Sequence, residues 1–478
     1  MDFGIDFGTT NSACVGIQQK KRLIKYTDGY DNPFPSIVII DPATGQVFCG
    51  REAWRNRESL RESCEIITSV KNYLGTDMTW KIKGRQWTSE MVAAEVFKGL
   101  KQQIKKRSKV VDIKEAVVAV PVGFAPEKKA ALRNAARLAD IEIKSFISEP
   151  ASALFCNYAE VGHHSRVGVF DWGGGTLDVA IVENRNGRIN ELATAGLKLG
   201  GDDIDRKLAE WAHCQIINEK GLKIAFEQMP AEAQDELLAK CEVAKKELAT
   251  EDLTNIQIWK YGELGEVNLI LDIDTFSSLI DPEVIKAIEC FEKCLHKGRI
   301  SLDELGCILM IGGSVNLRPF SRQVRLRWKG REFYPPESDW SVAKGAASLS
   351  IQPGDYRLAQ TIGVVMSDGS FYSLMKENDP VTYNCPVSNT FALVEEAATA
   401  HFVFMDDQGT TLGNLQVPAF GFFREKIDLQ TSIDNNLIFH ALARSRNRSS
   451  KLEKCWSYGN VRLNYQLPVI GLKVVNDA

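Results

Sequence analysis

The sequence predicts an α/β protein with two similar sheets, followed by a small all-β domain. Three patterns carry that expectation. Over the first 350 residues, short apolar runs alternate with amphipathic helical stretches, as in sheets covered by helices. The segments GIDFGTTNSACVGI (4–17) and GVFDWGGGTLDVAIV (168–182) repeat one plan: apolar strand, aspartate, glycine turn, threonine, second apolar strand. Beyond residue 360 helical periodicity gives way to period-two alternation, which suits strands with one buried face.

The elements follow in chain order. The chain enters a strand pattern at once and folds back through a glycine turn into a second strand by residue 17. Val92, Val96, Leu100 and Ile104, four residues apart, mark one stripe of a helix. AVVAV (116–120) is a buried strand, and KAALRNAARLAD (129–140) a helix opened by Pro126, where a missing amide proton costs nothing. VGVFD (167–171), VAIV (179–182) and CILMI (307–311) are further strands. The repeat divides residues 1–350 into two lobes near 165–170, able to face each other across a cleft. SIQPGDYRLAQ, with Pro, Gly and mixed polarity, reads as a linker over 351–360, and 361–478 as the β domain. There LIFHALAR (437–444) sets Leu437, Phe439 and Ala441 against Ile438, His440 and Leu442 after the turn residues Asn435 and Asn436.

Composition narrows the function classes. A chain of 478 residues is too long for one core, and 44 % hydrophobic with 25 % charged residues is ordinary for a globular protein. A net charge of −4 argues against general nucleic-acid binding; the basic runs at 98–109 and 444–454 read as a solvated helix face and a loop. No stretch of eighteen apolar residues occurs, and MDFGIDFGTT carries no basic leader, so the expectation is a cytoplasmic protein without a membrane anchor. Eleven scattered cysteines suit buried reduced thiols. Cys290 and Cys294 share a helix face near His296, too few ligands for a closed zinc site.

The glycine turns demand another explanation. Glycine inside a strand region costs roughly 0.5–1 kcal/mol relative to alanine, and Gly173, Gly174 and Gly175 follow one another between two apolar runs. Such turns let successive backbone N–H groups point at an anion, most often phosphate. Candidates are Gly8–Asn11, Gly173–Thr176 and Gly312–Ser314, with a fourth at Gly200 and Gly201. Asp6 and Asp171 each end a buried strand, and a buried carboxylate protonates or finds a cation. Were the lobes to oppose each other, both acids would approach one point, which a hydrated magnesium ion on a nucleotide could occupy. GxxxxGK[ST], GxGxxG and an HRD loop are absent, which argues against P-loop, dinucleotide and protein-kinase folds.

GIDFGTTNS, PSIVI (35–39), SVKNYLG (69–75), VVAVPVGF (117–124), ISEPASAL (147–154), VFDWGGGTLDVAIVE, GGDDIDRKL (200–208), CEVAKKEL (241–248), MIGGSVNLRPF (310–320) and SDWSVAKGAAS (338–348) occur in that order. Together they resemble the ATPase domain of the seventy-kilodalton heat-shock chaperone family, the DnaK-type chaperones, over nearly all of residues 1–350. The resemblance implies an actin-like ATPase fold, two duplicated ribonuclease-H-like lobes around a nucleotide cleft. It implies ATP or ADP with magnesium as cofactors, and potassium as a further cation. Asp6 and Asp171 match the acids that hold magnesium through water. Gly8, Thr9, Thr10 and Asn11 match the first phosphate loop, and Gly173, Gly174, Gly175 and Thr176 the second. Lys71 matches the lysine at the γ-phosphate and attacking water, with Glu149 orienting that water. Glu242, Lys245, Gly313 and Ser314 match residues around ribose and adenine, and Asp339 an acid of the same pocket; Gly200, Gly201, Lys246, Gly312 and Asn316 complete the set.

Departures from the family pattern carry expectations of their own. Lys246 and Asn316 stand where arginines are usual, with Arg318 nearby, and Ala249 replaces a serine, so adenine contacts are weakened more than phosphate contacts. Pro121 matches a signalling proline, but its partner arginine is Lys129. TIGVVM (361–366) and IDNNLIFHALARS (433–445) resemble pieces of a β-sandwich that binds peptides. The acidic, leucine-rich linker is replaced, and no helical lid is expected before Ala478, which describes a short divergent member. The implied partners are protein or peptide clients, a J-domain co-chaperone and a nucleotide exchange factor. The leading expectation is a chaperone-like ATPase. The alternatives are a nucleotide-switched interaction module with slow or no hydrolysis, and a filament-forming or sugar-phosphorylating relative.

Overall fold

The computed structural model describes residues 1–18, 22–29, 32–107, 111–351, 353–446, 452–459 and 461–468. Parts of both basic runs lie outside them. The chain forms two compact units. The first comprises Met1–Val122, Ala131–Asn184 and Glu191–Ile351; the second comprises Gly123–Ala130, Arg185–Asn190 and Gln352–Ala478.

Within the first unit one sheet plan occurs twice. The first sheet runs Glu142–Ser148, Glu115–Val120, Asp2–Asp6, Asn11–Ile17, Leu23–Tyr26; the first three strands are parallel and the rest antiparallel. The second repeats this order as Glu332–Phe333, Cys307–Ile311, Arg166–Trp172, Leu177–Arg185, Arg188–Leu197. The repeated hairpin therefore occupies the same place in both sheets. Three parallel strands need helical crossovers, which cover the sheet faces and make these strands apolar on both sides. The helix Ser89–Arg107 buries Val92, Val96, Leu100 and Ile104, and the helix Pro126–Leu138 begins at its proline. Ser152 Oγ of the helix Glu149–Cys156 donates to Val342 O of the helix Ser341–Ile351 at 2.7 Å, joining residues 190 positions apart.

The second sheet carries the largest core. Phe170, Trp172, Phe291, Phe320 and Trp328 interlock there, with the Phe170 and Phe320 rings stacked 5.1 Å apart. Burying such side chains contributes about 1.5–3 kcal/mol each. Trp172 is fully buried and donates its indole N–H to Leu199 O at 3.1 Å, so it anchors one end of the Gly173–Gly175 turn. Cys290 and Cys294 are buried in the helix Ile273–Gly298, where burial pushes both thiols up to about 11.

The second unit holds two four-stranded antiparallel sheets. One orders Phe371–Met375, Ile362–Val365, Thr399–Asp406, Thr411–Pro418; the other Val387–Ala392, Lys426–Ile433, Phe439–Ser445, Lys454–Tyr458. One core of residues from both sheets, including Phe402, Phe404, Leu429 and Phe439, joins them as a sandwich. The alternation in LIFHALAR is realised as buried Phe439, Ala441 and Ala443. The segment read as a linker contains a strand, Asp355–Leu358, which pairs with Leu463–Gln466; that strand in turn pairs with Arg188 and Ile189. Among the described residues no helix is long and apolar enough to cross a membrane.

Candidate active site

The two hairpins supply the centre of the site. Asp6 is the last residue of its strand, opposite Ala13. Asp171 lies one residue before the end of its strand, opposite Asp178. The second copy of the repeat therefore sets two carboxylates directly across a ladder, an arrangement that like charges disfavour unless a cation accompanies them.

Lys71 and Glu149 enter from elsewhere in the first unit. Lys71 lies in the short helical turn Val70–Tyr73, entered through Ser69 in the left-handed region at φ 55°. Glu149 opens the helix Glu149–Cys156, where Ser148 Oγ accepts from Ala151 N and Pro150 fixes the first turn. Lys71 Nζ donates to Glu149 Oε1 at 3.0 Å, and the two side chains are 9 % exposed, so the pair is withdrawn from water.

Electrostatics bind these groups into one cluster. Burial pushes the Glu149 carboxyl up to about 7 against the pull of Lys71, with Asp6 and Asp178 adding to the rise. Burial, then the charges of Glu149, Asp6 and Asp178, hold Asp171 well above the usual carboxylate range. Asp6 and Asp178 are raised for the same first reason, with Lys71 opposing in both and a hydrogen bond from Thr176 opposing at Asp178. Burial acts against the charge of Lys71, but Glu149, Asp6 and Asp178 outweigh it and raise its pKa. Four carboxyl groups thus face one ammonium, and each resists ionisation without a further cation. Beside it is a cavity of about 170 Å³ lined by Val122, Glu149, Pro150, Asp171, Asp178 and Gly196.

The turns converge on Gly173–Gly175. Gly173 N donates to Thr176 O at 3.0 Å, closing the turn on itself. A Cβ on Gly174 would lie 2.7 Å from Thr10 Oγ1, whereas one on Gly175 would make ordinary contact with Thr9 Cγ2 at 3.4 Å, so the two hairpin turns face each other and Gly174 marks their tightest approach. Gly201 N donates to Gly173 O at 3.1 Å and Ser314 Oγ to the same carbonyl at 2.9 Å. Gly312, at φ +84°, would set a Cβ 2.4 Å from Trp172 O and 2.9 Å from Asp171 Oδ1. Gly8 precedes Asn11 across the first turn, and Gly200 N donates to Asp203 Oδ2 at the start of the helix Gly201–Glu219.

A second set of polar groups borders the turns. Lys245 Nζ donates to Gly201 O at 3.0 Å and pairs with Asp205 Oδ2 at 2.7 Å. Lys246 pairs with Glu242 at 2.6 Å on the same helix and is exposed. Burial raises Asp339, with Lys246 opposing. Asn316 Nδ2 donates to Gly313 O at 3.3 Å, and Arg318 is held by Glu251 O and Asp252, so neither supplies an uncommitted guanidinium here.

Three members escaped the sequence reading. Asp178 is visible in the quoted run, but its place depends on the hairpin register. Asp202, which accepts from Thr10 Oγ1 at 3.2 Å, and Asp205 are raised to about 6 and about 7 by burial, against Lys245. Their signal was GGDDID, three acids spaced to share the first turns of one helix.

A family model for Hsp70 protein matches residues 76–396. The chain belongs to the Hsp70 family. The match spans more than half of the chain and includes Glu149, the second hairpin and the turns at Gly200 and Gly312. Asp6, Thr10 and Lys71 precede it, so their place beside the matched residues rests on the geometry above. As a member of the Hsp70 family the protein has the actin-like ATPase fold and is a nucleotide-binding protein of chaperone type.

The acidic centre offers oxygen donors without a closed metal cage. Among the described residues no three His, Cys, Asp or Glu side chains gather closely enough to ligate a metal directly. The donor set nonetheless fits a hard dication held through water: oxygen ligands only, raised carboxylates, and backbone turns beside them that suit phosphate. Cys290, Cys294 and His296 form no such group.

Proposed function

We propose that the first unit binds Mg·ATP and hydrolyses it to ADP and phosphate, and that the second unit binds unfolded or specific polypeptides under nucleotide control. The observation that carries this reading is the cluster of four raised carboxylates around Lys71, set beside two facing glycine turns. Asp6 and Asp171 would hold magnesium through water, with Asp178 beside them. The magnesium would neutralise phosphate charge as the bond to the leaving oxygen breaks.

The remaining work falls to this chain's own groups. Backbone N–H groups at Gly8–Asn11 and Gly174–Thr176 orient the phosphates, with Gly173 N–H closing the second turn. Lys71 stabilises the γ-phosphate oxygens, and Glu149 orients the attacking water and accepts its proton at Oε1 or Oε2. A pKa near 7 suits that task, since a general base works best when poised near the operating pH. Glu242, Lys245, Ser314 and Asp339 border the nucleoside, with Lys246 at the rim.

One observation favours a slower module. Lys71 and Glu149 are bonded to each other, so each must exchange its partner before acting on nucleotide.

Single-turnover hydrolysis of Mg·ATP by the wild type, Asp171→Asn and Thr176→Ala tests the reading. Turnover lowered in both variants is expected. Equal rates in all three proteins would refute the hydrolase assignment, whereas tight nucleotide binding without turnover would favour the switched module.

A further inference from the structure

The helix Arg318–Arg327 of the first unit turns a basic face to solvent. Residues 318–331, RPFSRQVRLRWKGR, hold six basic side chains and no acidic one. Pro319, Phe320 and Val324 are buried and fix which side of the helix meets the core. The helical period then sets Arg318, Arg322, Arg325 and Leu326 on the opposite side, with Lys329 just past the helix end. Leu326 is 82 % exposed, the most of any large apolar residue among those described.

This face does not serve the helix that carries it. Like charges three or four residues apart, as in Arg318–Arg322 and Arg322–Arg325, repel by about 0.2–0.5 kcal/mol per pair. The first turn holds no acid, and Arg318 stands there against the helix dipole. Neighbouring acids neutralise the stripe only at its borders. Arg318 is held by Glu251 O and Asp252, Arg327 lies 3.7 Å from Glu292, and Lys329 and Arg331 share Asp303 at 3.3 and 3.1 Å. Among the described residues the guanidinium groups of Arg322 and Arg325 have no hydrogen-bond or ion-pair partner. Two uncommitted cations therefore stand beside an apolar side chain that nothing covers.

We propose that Arg322, Arg325, Leu326 and Lys329 form a docking face for a short acidic amphipathic helix of a partner polypeptide. Carboxylates one turn apart on the partner meet Arg322 and Arg325, whose planar forks suit two-point bonding to carboxylate. An apolar side chain between those acids covers Leu326. Ten residues of helix extend about 15 Å, so a partner helix of about three turns spans the stripe. Nucleic acid fits less well, because phosphates that satisfy the arginines would bring a charged backbone against Leu326. None of the four side chains belongs to the groups assigned to nucleotide.

The test is fluorescence anisotropy of a labelled helix-forming peptide of about four turns, with glutamates at i, i+4 spacing around a row of leucines, added to the full chain. Wild type should bind it at about 50 mM salt and lose about tenfold or more in affinity at about 500 mM. Arg322→Glu combined with Arg325→Glu should weaken binding about tenfold or more, and Leu326→Ser about threefold or more. The thermal transition and ATP turnover should stay unchanged, because these side chains point into water. Should the double reversal misfold, Arg322→Gln with Arg325→Gln removes the charge alone and should give the same direction. Absence of salt-sensitive binding by the wild type, or unchanged affinity in folded charge variants, would overturn the proposal. Equal binding of a proline-interrupted version of the peptide would overturn the helix as occupant. Binding of a DNA duplex or of phosphatidylserine vesicles through Arg322 and Arg325, with no peptide binding, would overturn the assignment as well.

Discussion

Replacing Lys71 with methionine keeps its length and removes its charge from a pair closed at 3.0 Å and shielded from water. Breaking a buried pair by deleting one partner typically costs about 3–5 kcal/mol. Here the outcome depends on pH, because Glu149 already binds a proton near pH 7 and its neighbours are raised as well. In Lys71→Met the attraction that held those carboxylates ionised is gone, so they bind protons more tightly still. At about pH 6 Glu149 is protonated, and the loss should be only about 1–2 kcal/mol. At about pH 8 carboxylates must stay charged without a counter-ion, and the loss should approach about 3–5 kcal/mol. Single-turnover hydrolysis should fall about 10²–10³-fold, the usual effect of losing one preorganised charge donor. Denaturant unfolding at both pH values and rapid-quench kinetics measure the two effects. A stability penalty that does not grow with pH, or a rate within about twofold of wild type, would refute the electrostatic reasoning.

The raised carboxyl of Glu149 also has a consequence for the intact protein. Between 4.5 and about 7 the folded state binds more protons at this group than the unfolded state, so its contribution favours folding at the acid end and disappears as pH rises through about 7, by roughly 3 kcal/mol at most. Urea unfolding across that range should show stability falling with pH in wild type, and Glu149→Gln should flatten the trend. Gly174→Ala drives a methyl against Thr10 Oγ1, 2.7 Å away, and should weaken Mg·ATP binding about tenfold or more and cost about 1–3 kcal/mol of stability. Titration calorimetry and urea unfolding of Gly174→Ala combined with Thr10→Gly, which also removes the Thr10 Cβ 2.9 Å away, should recover part of both. Lys246→Arg offers a flat cation in place of an ammonium and should tighten ATP binding a few-fold without altering turnover of bound nucleotide. Unchanged affinity would place residue 246 outside the base contact.

Much of the architecture was legible because it is written in local patterns. The hairpins at 2–17 and 166–185 announce themselves by apolar runs broken at an aspartate and a glycine turn, and the helix Ser89–Arg107 by its four-residue stripe. The pairing of Lys71 with Glu149 spans 78 residues, and no local pattern encodes it; only its resemblance to known motifs pointed there. Asp178 was missed because its role depends on which residue faces Asp171, and a one-residue slip in register would have turned it to the other face. The strand Asp355–Leu358 reads locally as a linker, since its partner Leu463–Gln466 lies a hundred residues further on. Arg318 likewise stands close in sequence to the glycine turn, yet Asp252 captures it at 2.7 Å.

A surplus of acidic side chains at the two hairpins calls for a dication, and isothermal titration of ATP into the full chain, with magnesium and with excess EDTA, tests that requirement most directly. Strong heat and tight binding should appear with magnesium and largely vanish with EDTA. Equal binding under both conditions, or none under either, would contradict it.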